Sequence, residues 1–393
     1  MINIIKVKAI LDFSKKDYIL YNKVIVFDDK IIGIMDFDEA IKIYKNANIL
    51  DYGNYILSPV FCNIHSHLEF CTSRLDYGNF TLWLESIIKN RENINKEILE
   101  KEIDKNINIM LHSGVGYLGE ISSFGGELEI LSKSKIKSII FHEILGANKS
   151  VAQKNIDFFC DRFNRYSNLK NNISLHSPYS ICDEVYDFAI NYAKNNDLLI
   201  STHFMESIDE KNYLNGKKNK FSNYLKSFNP SRLTRNFLRD FYDLKAIFTH
   251  CNYVDDFSIF NNNHIITTCA RSNRYLGSKK INLKNVLKNN IKLSLGTDGL
   301  SSNDSLNFFD ELRANIILHN EFDLEKIAYI LFKTATYDNA HLFLNGFNPL
   351  EYGACADFML LDDFGYDKSQ ILIQTILRNK EVKQMFLDGK EIL

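Results

Sequence analysis

Two histidines separated by one residue, His65 and His67, follow an apolar run that extends from Val60 to Ile64. In a β-strand, side chains two positions apart point to the same face, so both imidazoles are expected to project together from the end of a strand. Two imidazoles on one face can hold one metal ion. A His-x-His pair also occurs on ordinary surface strands, so the rest of the chain must support the interpretation.

Polar side chains of the same kind end several further apolar runs of the chain. They are His176 after the fourth run, His203 and Glu206 after the fifth, His250 after the sixth and Asp298 after the eighth. Five of the ten histidines fall at such run ends, which a random scatter would not produce. Imidazoles and carboxylates serve in metal ligation and in proton transfer. The pattern therefore predicts one shared site rather than unrelated surface groups.

The elements that would bring these groups together are strand-like apolar runs that alternate with segments of helical period. The eight runs are Val60–His67, Val115–Ser122, Ser138–Leu145, Ile173–Ser177, Leu198–His203, Ala246–His250, His264–Cys269 and Lys292–Thr297. Helix-period segments such as 82–111, 183–195 and 283–288 lie between most of them. This alternation is typical of a (β/α)₈ barrel, whose active site lies at the carboxyl ends of its strands. We interpret the polar stretch 207–243 as an enlarged loop with helices over that face.

The two ends of the chain have a different texture from the middle. Residues 1–57 have the pattern of short strands with turns, and strand-like runs return after residue 345. The N-terminal piece is too small and too poor in apolar residues to hold together alone. We therefore predict that residues 1–57 and 346–393 pair into one small β-domain, beside a catalytic barrel that spans residues 58–345.

Composition excludes several classes of partner. The chain has 393 residues, of which 45% are apolar and 24% charged, and its formal net charge is -2. No basic field is present to attract nucleic acid or an anionic membrane. The seven cysteines form no C-x-x-C pair, which favours a reducing compartment over a disulfide framework. No secretory leader and no apolar run long enough for a membrane span is recognisable, so a cytoplasmic enzyme is expected.

The order and spacing of these motifs resemble the amidohydrolase superfamily over nearly the whole chain, from the Pro59–His67 segment to the Gly-Lys pair near the C terminus. The resemblance is closest to its cytosine-deaminase-like and chlorohydrolase-like branch, which acts on amino-substituted heterocycles. It implies a distorted (β/α)₈ barrel with a composite β-sandwich built from both chain ends. The segment from Ser272 to Gly277 matches the Ser-Asn-x-x-Leu-Gly segment that follows strand seven in that branch.

The resemblance also implies roles for the polar residues at the run ends. They are His65, His67, His203 and Asp298 as metal ligands, Glu206 as the proton shuttle, His250 as the partner that activates water, Asp298 also as a catalytic group, and His176 as a substrate contact. Members with two metals use a carboxylated lysine after strand four, where this chain has His176 and no lysine nearby. One divalent ion is therefore expected, Zn²⁺ first with Fe²⁺ as the alternative, because three imidazoles and a carboxylate suit both.

The substrate expected from the resemblance is an adenine-type nucleoside. Segments 119–123, 141–146 and 269–277 look like those of members that convert 6-amino-6-deoxyfutalosine to futalosine and ammonia in menaquinone biosynthesis. Trp83 and Glu92 resemble the segment that supplies a ribose-binding carboxylate in nucleoside-deaminating relatives, although Glu92 also fits a solvated helix face. Arg271 and Arg274 are the candidate partners for a substrate carboxylate, because arginine suits bidentate carboxylate recognition. A structural ion pair is the alternative for either arginine.

Other functions remain open from the residues themselves. The same metal site would serve deamination of methylthioadenosine, adenosine or S-adenosylhomocysteine, or hydrolysis of guanine, cytosine or an s-triazine, all within hydrolases that act on C–N bonds of cyclic amidines or related rings. An alternative from another functional class is a non-catalytic scaffold of the same fold. Such proteins lose metal ligands, whereas all four candidate ligands and Glu206 are present here. Dimers are common in the family, which makes a homodimer an open arrangement.

Overall fold

Two eight-stranded sheets organise the protein. The computed structural model describes residues 1–72, 75–90, 95–226, 233–234, 236–365 and 367–393. The strands in chain order are β1 (Asn3–Leu11), β2 (Ile19–Tyr21), β3 (Lys23–Phe27), β4 (Ile31–Asp36), β5 (Asn48–Pro59), β6 (Phe61–Ser66), β7 (Val115–Ser122), β8 (Lys137–Ile144), β9 (Lys170–Leu175), β10 (Ile200–Phe204), β11 (Ala246–His250), β12 (His264–Thr268), β13 (Lys292–Leu295), β14 (Phe358–Asp362), β15 (Gln384–Leu387) and β16 (Lys390–Glu391).

Strands β6 to β13 form the barrel and pair in parallel in the order of the chain. Every residue of β6, β7, β10, β11 and β12 is buried. This is why the sequence shows near-continuous apolar runs here, since a parallel sheet is covered on both faces. Each of the eight predicted runs overlaps one of these strands, so the predicted fold class is confirmed.

The last and first barrel strands meet beside the polar run ends. The amide of Asp298 donates to the carbonyl of His65 over 3.0 Å. Glycines make this approach feasible, because a Cβ on Gly296 would lie 2.7 Å from the Cβ of His65, and one on Gly299 would lie 2.7 Å from the carbonyl oxygen of His67. The Gly-Thr-Asp-Gly sequence therefore lets the eighth strand end close against the first.

The helices cover the outside of the barrel and the loops at its carboxyl end, except for the first, which packs against β3 and β4 of the other sheet. They are α1 (Phe37–Ile43), α2 (Phe80–Asn90), α3 (Lys96–His112), α4 (Leu128–Lys133), α5 (Ala152–Phe163), α6 (Asp183–Asn195), α7 (Ile208–Leu214), α8 (Lys220–Leu225), α9 (Ala270–Tyr275), α10 (Leu283–Lys288), α11 (Phe308–Leu318), α12 (Leu324–Lys333) and α13 (Ile371–Arg378). The predicted segment 82–111 consists of two helices, because Asn95 caps a new helix by accepting a hydrogen bond from the amide of Ile98. In the described residues, no helix combines the length and apolarity that crossing a bilayer requires.

The chain ends build the second sheet, as predicted. Its order is β16-β15-β14-β5-β1-β3-β4, with β2 added to β1. Strand β5 lies at its centre and leads through Pro59 and Val60 directly into β6, so the sheet holds the start of the first barrel strand. The Tyr117 hydroxyl of β7 donates a buried hydrogen bond, 2.5 Å long, to Asp357. Asp357 immediately precedes β14, so this bond joins the barrel to the second sheet. The division into domains after residue 57 and before residue 346 stays a proposal.

Candidate active site

Six of the side chains predicted at run ends converge at the carboxyl end of the barrel. They are His65, His67, His203, Glu206, His250 and Asp298, and all six are buried. These six residues form the floor of the site. They come from the ends of β6, β10, β11 and β13, so strands distant in sequence supply one site. This is the placement that parallel strands in a closed barrel produce.

The donor atoms of the floor surround a common point. The Nε2 atoms of His67 and His203 lie 3.2 Å apart. The Oδ1 atom of Asp298 lies 3.6 Å from Nε2 of His65 and 3.6 Å from Nε2 of His67. Nε2 of His65 is buried and has no hydrogen-bond partner among the described residues. Three imidazole nitrogens and a carboxylate oxygen that converge in this way fit a divalent metal ion.

Neighbouring groups orient these candidate ligands. Oδ2 of Asp298 accepts hydrogen bonds from Ser272 over 2.6 Å and from Ser302 over 2.8 Å, which leaves Oδ1 facing the histidines. Nδ1 of His203 donates to the backbone carbonyl of His176 over 3.1 Å, so its Nε2 carries the free lone pair. Such outer contacts set the ring orientation and tautomer of metal-binding side chains. The groups that surround the candidate ligands therefore fit a metal site, as the ligands themselves do.

The protonation states also fit a cation site. Burial, followed by the nearby His65, lowers the pKa of His67 to about 4, and burial lowers the pKa of His203 well below its ordinary value. Burial acts to raise the pKa of Asp298, but the hydrogen bond and charges of the surrounding histidines hold it well below its usual range. Neutral imidazoles and an ionised carboxylate are the forms that bind metal.

Glu206 differs from Asp298 in its surroundings. Burial, and then the neighbouring charges of Asp298 and Glu210, raise the pKa of Glu206 well above its ordinary value. Its carboxylate lies 3.5 Å from Nε2 of His250. The backbone amide of Glu206 donates to Glu210 over 2.8 Å, and its carbonyl accepts from Asn252 over 3.1 Å. The backbone of Glu206 is thus held in place. Its carboxyl group, which readily carries a proton, faces the other floor residues.

His250 is held by its backbone and by its ring. Nδ1 donates to Oδ1 of Asn273 over 2.8 Å, which directs the buried Nε2 at the floor. The φ angle of His250 is 76°, and Asp298 and Met205 likewise have positive φ angles of 58° and 51°. Non-glycine residues in this left-handed region cost energy and are uncommon outside functional or turn positions. Three strand ends beside the candidate groups share this strain.

A cavity of about 290 Å³ opens above the floor. One side, called the side wall below, consists of Ser123, Glu143, His176 and Ser180. The outer part, called the mouth, consists of Trp83, Leu84, Ile87 and Ile88 from α2 and Leu225 from α8. His176 and Trp83 therefore line the cavity as the sequence suggested. The indole of Trp83 donates to the carbonyl of Ser301 over 2.8 Å, which ties α2 to the loop after β13.

The two predicted carboxylate partners are not in the cavity, and this corrects the expectation from sequence. Nε of Arg271 bonds to Glu311 over 3.0 Å and Nη1 to Asp304 over 2.9 Å, while Nη2 binds the carbonyl of Ser305. Arg271 is thus a buried structural ion pair. Arg274 is exposed on α9 and does not line the cavity. Glu92 lies outside the described residues.

Sequence reasoning gave no role to several residues that shape the site. Glu210 lies in α7, and its carboxylate accepts from the amides of Met205 and Glu206 over 3.0 Å and 2.8 Å. Glu143 and Ser123 belong to motifs that the sequence singled out without a function, and both line the cavity. A signal for Glu143 was available, because it occupies the end of the third run as His176 occupies the end of the fourth.

Comparisons with known proteins agree with this geometry. The Amidohydrolase family matches residues 56–392. Aminodeoxyfutalosine deaminase of Nitratiruptor sp. is 32% identical and the alignment covers 95% of this chain and 96% of that protein. Adenosine deaminase of Helicobacter pylori is 30% identical over 97% of each chain.

Solved structures extend the likeness to the fold. The crystal structure of Helicobacter pylori aminofutalosine deaminase in complex with methylthio-coformycin superposes with a TM-score of 0.91, at 30% identity over the whole of both chains. Guanine deaminase from C. acetobutylicum, at 18% identity and a TM-score of 0.79 over the whole of both chains, shares the fold. With a family match over most of its length, a nearly closed barrel whose strand ends bring three histidines and an aspartate together, and these relatives, the chain belongs to the amidohydrolase family.

Proposed function

We propose that this chain is a metal-dependent hydrolytic deaminase of an adenine nucleoside, with 6-amino-6-deoxyfutalosine as its substrate and futalosine and ammonia as its products. The observation that carries the proposal is the floor, where three imidazoles and the carboxylate of Asp298 converge beside Glu206, a carboxyl group whose pKa burial raises well above its ordinary value. The names of the relatives in Nitratiruptor and Helicobacter support an adenine-type ring. The product would enter the futalosine route to menaquinone.

The proposed ligands of a single divalent ion are His65, His67, His203 and Asp298, and Zn²⁺ is the ion we propose. Such an ion, when bound, lowers the pKa of a coordinated water from about 15.7 toward 7 and so makes a nucleophile available at neutral pH. The donor set of nitrogen with one oxygen suits zinc or iron better than calcium or magnesium. The family is generally dependent on divalent metals, in agreement with this assignment.

Glu206 is the proposed proton carrier. It takes the proton of the attacking water, delivers it to the ring nitrogen beside the amino-bearing carbon, and then assists the departing ammonia. One carboxyl group can perform these steps when its pKa lies near the working pH, and burial raises the pKa of Glu206 in that direction. His250, 3.5 Å from Glu206, holds the water and the developing charge in place.

The side wall and the mouth orient the rest of the nucleoside in this proposal. His176 offers a ring nitrogen to the cavity, because its Nδ1 bonds to Ser180 over 2.6 Å and to Ser177 over 2.9 Å. Trp83 supplies an aromatic face at the mouth. No arginine or lysine lines the cavity within the described parts of the chain. The carboxylate of the proposed substrate therefore lacks a cationic partner among those residues.

This apolar mouth favours a second candidate, a nucleoside with an uncharged 5′ group such as 5′-methylthioadenosine. Leu84, Ile87 and Leu225 would contact such a group without desolvating a charge. Ammonia release from 6-amino-6-deoxyfutalosine, 5′-methylthioadenosine, adenosine, S-adenosylhomocysteine, guanine and cytosine decides between the candidates. The highest kcat/KM on 6-amino-6-deoxyfutalosine is expected. Preference for guanine or cytosine would contradict the proposal while leaving the fold and floor unaffected.

A further inference from the structure

Glu69 is a buried carboxylate that the proposed chemistry does not use. It lies in the 3₁₀ turn Leu68–Phe70 after β6 and is only 3% exposed. Its Oε2 accepts hydrogen bonds from the amides of Ser123 and Phe124 over 2.7 and 2.8 Å, and its Oε1 accepts one from the amide of Gly126 over 2.8 Å. Three amides of the β7 loop (residues 123–126) therefore converge on a side chain that follows β6.

The β7 loop has the backbone shape of an anion-binding turn. Gly125 has a φ angle of 87°, in the left-handed region that glycine adopts without strain. A turn of this kind directs successive amides to one side, where they bind a negatively charged group. The guanidinium of Arg162 binds the same loop by donating to the carbonyl of Ser123. The loop is thus held by a carboxylate and by a guanidinium.

Two further glutamates near this turn do not compete with Glu69 for the amides. Glu120 and Glu127 are both fully buried. Burial, and then the charge of a neighbouring glutamate, raise the pKa of Glu120 and of Glu127 well above the ordinary value. Both are therefore expected to be protonated, and Glu120 accepts a hydrogen bond from the amide of Leu68 over 2.6 Å. The amides of the β7 loop consequently serve one negative charge, that of Glu69.

The β7 loop carries an aromatic ring into the cavity. Phe124 and Phe70 both line the cavity, and their ring centroids lie 6.4 Å apart with an edge-on angle of 72°. Phe70 belongs to the same 3₁₀ turn as Glu69, and its ring centroid lies 6.0 Å from that of His67. Phe124 is 37% exposed, so the position of its ring depends on the backbone that carries it.

We propose that Glu69 is a positioning residue, which holds the β7 loop so that Phe124 stands beside Phe70 before the substrate arrives. The two rings then form a preformed wall of the cavity. This inference rests on the proposed function, in that a nucleoside is what the cavity binds. A protein that is competent to bind for only a fraction of the time binds more weakly by that fraction. Holding the wall in place therefore lowers KM and leaves kcat to the floor.

Glu69→Gln tests the role of the carboxylate. Glutamine keeps the size of the side chain but loses the charge, and its amide nitrogen cannot accept from the loop. A hydrogen bond to a charged group corresponds to about ten- to a hundredfold in an equilibrium, so KM for 6-amino-6-deoxyfutalosine, or for 5′-methylthioadenosine if wild type prefers it, should rise by about that factor. The kcat and the metal content should stay at the wild-type values. Loss of metal would mean that Glu69 acts through His67, and would overturn the proposal.

Phe124→Ala tests whether Glu69 acts through this ring. The variant should raise KM by itself, and Glu69→Gln should add little in the double variant, because both changes remove the same wall. Rises in KM that multiply independently would mean that Glu69 does not act through Phe124, and the proposal would be wrong.

Glu127→Gln is the matched control. Glutamine resembles a protonated glutamate, and Glu127 neither lines the cavity nor binds the amides that Glu69 binds. Its KM should equal that of wild type. A rise in KM as large as that of Glu69→Gln would attribute the effect to packing in this region and would contradict the proposed role of the amides.

Hydrogen exchange of wild type provides a test that needs no variant to fold. The amides of Ser123, Phe124 and Gly126 should exchange slowly in the protein without substrate. Rapid exchange would mean that the loop is not held, and the inference would be wrong. If wild type is active and Glu69→Gln keeps its KM, the inference is wrong while the deaminase assignment stands. If wild type deaminates no nucleoside, the proposed function is wrong, and so is the role of this wall in nucleoside binding, even where the amides are protected.

Discussion

The floor and the mouth of the cavity are built from different parts of the chain. The floor comes from barrel strand ends, is entirely buried, and several of its polar groups are oriented by a second residue, as Asn273 orients His250. The mouth comes from α2 and α8, carries apolar side chains, and adjoins stretches of the chain at 91–94 and 227–232 that lie outside the described residues. Rigid strand ends suit chemistry that needs fixed geometry, whereas helices in long loops can differ between relatives and select the substrate.

The largest expected effect comes from removing a floor ligand. Asp298→Ala should release the metal and reduce ammonia formation to the uncatalysed level, because the carboxylate and three imidazoles act as one set. Leu84→Ala, at the mouth, is the control and should keep its metal. Elemental analysis of both proteins measures this, and wild type should hold one ion per chain. Two tightly held ions, or a fully active Asp298→Ala protein, would contradict the assignment.

Glu206→Gln should separate chemistry from metal binding within the floor. Glutamine keeps the shape of the side chain but cannot carry the proton, so turnover should fall by about 10²–10⁴. The metal content should equal that of wild type, because Glu206 is not among the proposed ligands. Ammonia release at saturating substrate gives the turnover number. Near wild-type turnover with the metal retained would show that another group moves the proton.

Arg271→Met should affect stability without affecting substrate choice, since Arg271 belongs to neither floor nor mouth. Glu311 is completely buried and would lose its charged partner, which costs about 3–5 kcal/mol. The ratio of kcat/KM for 6-amino-6-deoxyfutalosine and 5′-methylthioadenosine should stay as in wild type. Arg274→Met, on the exposed side of α9, is the control and should change neither quantity. A selective loss on the carboxylate substrate in either variant would restore an arginine to the site.

Glu210 makes the support of the floor sensitive to pH. Burial raises its pKa to about 7, although three backbone hydrogen bonds oppose the rise. A carboxyl group whose pKa is higher in the folded than in the unfolded protein favours folding at pH values below the unfolded pKa, and this contribution is lost as pH rises to about 7. Relative to Glu210→Gln, wild type should therefore lose about 3 kcal/mol of stability between pH 4.5 and 8.

Melting temperatures of wild type and Glu210→Gln across that pH range measure the effect. The difference between the two proteins should shift in favour of the variant as pH rises and level off above pH 8. A difference in melting temperature that stays constant with pH would mean that Glu210 has the same pKa in the folded and in the unfolded protein. Leu84→Ala, which changes no titratable group, should follow the pH profile of wild type.

The smallest effect is expected at the mouth. Trp83→Phe keeps an aromatic face but removes the hydrogen bond to the carbonyl of Ser301, a neutral bond that contributes about 0.5–1.5 kcal/mol. The change should raise KM by about two- to tenfold with kcat and metal content nearly unchanged. Steady-state kinetics on the preferred nucleoside test it. A fall in kcat as large as that of Glu206→Gln would mean that floor and mouth are not separable.

The sequence predicted the structure best at the ends of the barrel strands. The eight apolar runs and the residues that follow them predicted the barrel and the convergence of the floor, because carboxyl ends of parallel strands necessarily meet at one face. The same reasoning overlooked Glu143 and Glu210. Glu143 stands at the end of the third run but in no motif of known chemistry, and Glu210 lies beyond the fifth run, inside α7. Their contacts with the Ser123 hydroxyl and with the amides of Met205 and Glu206 are seen only in the folded chain.

Arg271 shows why proximity in sequence to a strand end was insufficient. Residues 271 and 272 are adjacent, but consecutive side chains on a helix point about 100° apart. In α9 the Ser272 hydroxyl faces Asp298, whereas Arg271 faces Glu311 on α11. The sequence by itself determined which polar side chains stand at the ends of the barrel strands, since period and direction are local properties. Only the tertiary structure decided which side chains line the cavity above it, because the facing of each helix depends on the elements packed against it.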